Sequence, residues 1–146
     1  MYHILLPVDT NETRARSQAA FVSTLPAAAD SIHVTVLFVF AGAHTDDLPR
    51  EFKPFEGSPH RIGAVMRAVE HLESAQISVE IMEESTDAAD QIHAIAEELT
   101  VDLIVLGGRK RSLPEKALFG SVTEEVIRES NVPVVITGTT GIDESG

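Results

Sequence analysis

An alternation of two apolar patterns constrains the fold more than any other feature of the chain. "ILLPV" (4–8), "HVTVLFVF" (33–40), "DLIVLG" (102–107) and "VPVVIT" (132–137) are short, nearly continuous runs of Val, Ile and Leu. Runs of this length fit strands covered on both faces, the habit of parallel sheets. "ISVEIM" (77–82) alternates instead, with Ile77, Val79 and Ile81 on one face, which predicts a strand near an edge. Between the strands lie stretches of helical period. One stripe is Ile62, Val65, Met66, Val69 and Leu72; another is Ala88, Ala89, Ile92, Ile95, Ala96 and Leu99; a shorter one is Val122, Val126 and Ile127. A weaker stripe, Ala15, Ala19 and Val22, follows Asn11, which is placed to cap it. The order β-α-β-α-β-α-β-α-β predicts a doubly wound, Rossmann-like α/β fold, a five-stranded parallel sheet with helices on both faces.

A chain of 146 residues can build one such domain around a single core. We place it at residues 1–138 and expect 139–146, "TTGIDESG", to be a disordered tail without core-building content. Residues 41–60 break all periodicity with three prolines, which predicts a lid or an excursion. There is no cysteine, no basic leader ahead of an apolar run, and no stretch near the ~18 apolar residues of a membrane span, so a cytoplasmic protein is expected. The net charge of −12 opposes nucleic-acid binding. With Lys only at 53, 110 and 116, that acidic balance also predicts a halophilic, salt-adapted protein.

In open α/β sheets ligands bind outside the carboxyl ends of the strands, where the winding reverses. The first strand leaves as "PVD", the second as "FVF" and the fourth as "GGRKR". Gly107 and Gly108, then Arg109, Lys110, Arg111 and Lys116, then Gly120 and Ser121 at a helix start, have the parts of a phosphate site. The competing reading is a solvated basic loop. Neither G-x-x-x-x-G-K-[ST] nor a G-x-G-x-x-G after the first strand is present, which disfavours a P-loop NTPase and a dinucleotide-dependent oxidoreductase. The six histidines show no metal-ligand spacing. Ser121 sits in "FGSVT", not in a nucleophile elbow, and reads as a helix cap paired with Glu124. With no catalytic constellation, the expectation is at most slow ATP hydrolysis.

"ILLPVD", "DLIVLGGRKRSLPEKALFGSVTEEVI" and "VPVVIT" together resemble the universal stress protein family over residues 2–137. The resemblance implies a stress-response or signalling module, some of whose relatives bind ATP between the first and fourth strands while others do not. In the binders the late motif reads G-x-x-G, nine residues, then G-[ST]. Gly107 matches the first glycine, and Gly120 with Ser121 the final pair. By this resemblance Pro7, Val8 and Asp9 with Val39 form the adenine and ribose side. Gly107, Gly120, Ser121 and Val122 contact phosphates, flanked by Gly108, Arg109 and Lys110. The implied ligand is an adenine nucleotide, ATP with Mg2+ or AMP, or another phosphate compound. Lys110 stands where the family has its middle glycine. If that position is left-handed, a side chain costs about 1–2 kcal/mol, while an ammonium on a phosphate returns about 1.5–3 kcal/mol. The resemblance also implies a homodimer through 132–137. The alternative is a dimeric interaction or chaperone-like protein of the same fold that holds no nucleotide.

Overall fold

The computed structural model describes residues 1–9, 11–39, 62–82, 89–107 and 121–137, with only the backbone described at 89, 90, 121 and 122. The elements run β1 (Tyr2–Val8), α1 (Glu12–Ser23), α2 (Ala28–Ser31), β2 (Ile32–Phe38), α3 (Gly63–Ser74), β3 (Ser78–Ile81), α4 (Ala89–Leu99), β4 (Leu103–Gly107), α5 (Ser121–Glu129) and β5 (Val134–Thr137). Each predicted strand and helix is present, and the single turn α2 is an addition. It follows Ala27, whose left-handed φ of 56° turns the chain sharply out of the α1 connection. The segments 41–60 and 139–146 lie outside the described residues.

The five strands form one parallel sheet in the order β3-β2-β1-β4-β5. β1 is therefore central, and Ile4, Leu5 and Leu6 are all 0% exposed, as an uninterrupted apolar strand requires. Alternation sends Ile4, Leu6 and Val8 into one core cluster with Ala15, Ala19 and Val22 of α1 and Val65, Ala68 and Leu72 of α3. Leu5 and Leu37 point the other way, into a second cluster with Ile92 and Ala96 of α4 and Val126 of α5. Each fully buried Leu or Ile contributes roughly 1.5–3 kcal/mol by leaving water, so the two clusters hold the helices on their respective faces.

α1 begins as its sequence suggests. Asn11 is extended (φ −83°, ψ 110°), and its Oδ1 accepts the Arg14 backbone N–H at 2.8 Å. The alternating strand β3 occupies one edge, and β5, entered through Pro133, occupies the other. Among the described residues no helix is long and apolar enough to cross a membrane.

The returns from α3 to β3 and from α4 to β4 use the same device. Gln76 (φ 64°) and Thr100 (φ 51°) take left-handed backbone, and the Ile77 and Val101 N–H groups reach back to Leu72 O (3.0 Å) and Ala96 O (3.1 Å). Neither position carries glycine. Gln76 is exposed, so Gln76→Gly is expected to stabilise the fold by about 0.5–1 kcal/mol, the left-handed penalty less glycine's extra freedom when unfolded. Denaturant unfolding of the two proteins measures this, and a lower midpoint for the variant refutes it.

Candidate functional site

Winding reverses between β1 and β4, and there the two strands part. β1 stays in register with β2 along its whole length, from Tyr2 on Ile32 to Val8 on Phe38. Against β4, the described ladder registers only Ile4 on Leu103 and Leu5 on Ile104. Pro7 supplies a reason. Successive residues of a strand present their backbone groups to opposite neighbours, and the Val8 carbonyl turns to β2, where it accepts the Val39 N–H at 2.7 Å. The backbone of Pro7 therefore faces β4, and proline has no N–H to donate.

The carbonyls left at this fork are taken by one side chain. Gln18 of α1 is 1% exposed, and its Nε2 donates to Pro7 O at 2.6 Å and to Val105 O at 3.0 Å. Both amide hydrogens are thus spent on bridging the two strands. One turn earlier, Arg14 Nη1 donates to Asp9 Oδ2 at 2.5 Å, and the other carboxylate oxygen accepts the Asn11 N–H at 2.9 Å. The Arg14 side chain is 25% exposed and that of Asp9 40%, so the pair lies at the mouth of the fork in contact with water. The Arg14 stem lies across the last residue of β4: a Cβ added to Gly107 would overlap Arg14 Cγ and Cδ and come within 3.1 Å of Gln18 Oε1. The space that a side chain at 107 would need is thus taken by Arg14.

Of the site residues read from the sequence, Pro7, Val8, Asp9, Val39 and Gly107 come together at the carboxyl ends of β1, β2 and β4. Val8 (1% exposed) belongs to the α1 and α3 cluster and Val39 (6%) to the α4 and α5 cluster, so they flank the sheet from opposite faces. Ser121 and Val122 are the first two residues of α5. Gly108, Arg109, Lys110 and Gly120 lie outside the described residues.

Sequence reasoning passed over Arg14 and Gln18. Gln18 had a signal, because positions 15, 18, 19 and 22 form one helical stripe and Gln18 is its polar member. Arg14 had a weaker one: a cation in the first turn opposes the helix dipole and so implies a specific acceptor nearby.

A second polar group lies towards the strand starts, on the α4 and α5 face. His3 Nε2 and Thr35 Oγ1 are 2.8 Å apart, His33 Nδ1 and Ser78 Oγ 2.7 Å, and His33 Nε2 stands 3.6 Å from Glu80 Oε1. The two imidazoles are 5.1 Å apart, and burial, then the neighbouring His33, lowers the pKa of His3. Among the described residues no group of three or more His, Asp or Glu is placed to hold a metal ion.

Residues 1–138 match the universal stress protein family, and the chain belongs to that family. A universal stress protein of Methanocaldococcus jannaschii is 43% identical over 47 residues, 32% of this chain and 29% of the relative. The chain spans less than half the length of the curated relatives it matches. Among solved structures, the universal stress protein from Archaeoglobus fulgidus in complex with dAMP is 22% identical. It superposes with a TM-score of 0.66 over 94% of this chain and 98% of its own. A family protein from Arabidopsis thaliana with AMP bound is 12% identical, with a TM-score of 0.63 over 94% and 92%.

Replacing Gln18 with Leu keeps the volume but leaves two buried carbonyls without donors. A loss of about 1–3 kcal/mol is expected. Thermal or denaturant unfolding checks it, and an unchanged midpoint would show that water or another side chain takes over the bridge.

Proposed function

We propose that this protein is a stress-response or signalling module that binds an adenine nucleotide at the carboxyl ends of β1 and β4. The observation that carries the reading is the fork itself. At the reversal of a 3-2-1-4-5 sheet, Asp9 and Gly107, one assigned to ribose and one to phosphate by the family motif, stand on either side of a parted strand pair. Fold relatives solved with dAMP and AMP support the choice of ligand class.

In this reading Pro7, Val8, Asp9 and Val39 line the adenine and ribose side. Gly107, Gly108, Arg109, Lys110, Gly120, Ser121 and Val122 form the phosphate side. ATP and AMP both belong to the proposed ligand class, and with ATP a Mg2+ ion would enter on the phosphates. The acidic, Lys-poor chain supports a setting of high salt.

Equilibrium dialysis against labelled Mg-ATP and AMP in molar KCl tests the reading, with saturable, stoichiometric retention expected. No retention at millimolar nucleotide, where ~4 kcal/mol of binding would register, overturns it.

A second reading rests on β5. This edge strand carries half-buried Val134, Val135 and Ile136, among the described residues no strand pairs with its outer side, and an unpaired apolar edge favours pairing with another strand. We propose that a homodimer forms through 132–137, and in the absence of nucleotide this surface would make the protein an interaction module. Light scattering at micromolar concentration is expected to give a dimeric mass, and a monomeric mass removes the proposal.

A further inference from the structure

We propose that Arg14 is the residue by which the site selects a phosphate-bearing ligand over the bare nucleoside, an inference that rests on the nucleotide reading above. No motif of the chain points to this residue; its placement does. One side chain joins both halves of the site. Its guanidinium is held by Asp9 on the ribose side, and its stem fills the side-chain space of Gly107 on the phosphate side.

A phosphate brought against the Gly107 backbone meets a guanidinium, whose planar fork of donors suits phosphate oxygens. The Asp9 contact leaves other N–H groups on the same fork, and water reaches and screens that pair. A nucleoside gains nothing of this kind, while its ribose meets the same Asp9 as the ribose of the nucleotide. Arg14 thus strengthens the nucleotide and leaves the nucleoside without that contact.

The test compares AMP with adenosine in titrations of the full chain and two variants. Arg14→Met keeps an unbranched stem over Gly107 and removes the charge; Arg14→Lys keeps the charge. Melting curves confirm that both variants are folded. Arg14→Met is expected to weaken AMP by about tenfold or more, the loss of one charged contact, while adenosine binds as well as before. Arg14→Lys is expected to recover most of the AMP affinity. Equal weakening of AMP and adenosine by Arg14→Met, or no weakening of AMP, overturns the role of Arg14 while wild-type binding leaves the nucleotide reading standing. A wild type that retains neither AMP nor ATP overturns both.

Discussion

A parallel sheet that winds in two directions has to open somewhere, and here the opening is held by the Gln18 amide. Two carbonyls, Pro7 O and Val105 O, would otherwise face an apolar interior without donors, and a buried unpaired carbonyl costs as much as a lost hydrogen bond. Gln18 satisfies both while keeping β1 and β4 at the distance a side-chain bridge requires. The position of α1 follows, since its polar bridge and its small apolar residues Ala15 and Ala19 lie on the same side. With α1 placed, Asn11 and Arg14 are placed, and with them Asp9. The architecture of the candidate site is therefore a consequence of one proline that withholds an N–H and one amide that answers it.

The electrostatics of the fork contrast with those of the whole molecule. The chain carries a net −12, yet Arg14 of α1 stands at the fork, and the Arg109 to Lys116 segment follows β4 in the sequence. An arginine in the first helical turn works against the dipole of its own helix, and the Asp9 carboxylate offsets that cost. The result is a positive charge held at the site by a negative one, within a protein whose overall field would repel a phosphate.

Most of the fold was legible because both periods of the sequence were strong. Continuous Val and Ile runs marked the inner strands, and the alternation of Ile77, Val79 and Ile81 marked β3 as an edge. The weak stripe of α1 marks a helix behind Asn11, yet nothing in that apolar stripe singles out Arg14 or Gln18. Periodicity sorts residues by hydrophobicity, and Gln18 is buried for its hydrogen bonds. Arg14 and Gly107 are ninety-three positions apart in number, 14 against 107, and only the parallel pairing of β1 with β4 brings them into contact. The glycine's motif was visible; the side chain that occupies its empty space was not. The single turn α2 was missed because it depends on one left-handed alanine, Ala27, which no pattern of apolar residues announces.

The contact between Arg14 and Gly107 also bears on how such a chain can change over time. Because the stem of one residue fills the space that the other leaves, a side chain gained at 107 would evict the one at 14, and the Asp9 pairing would be lost with it. The two positions can drift only together, the long residue shortening before the small one grows.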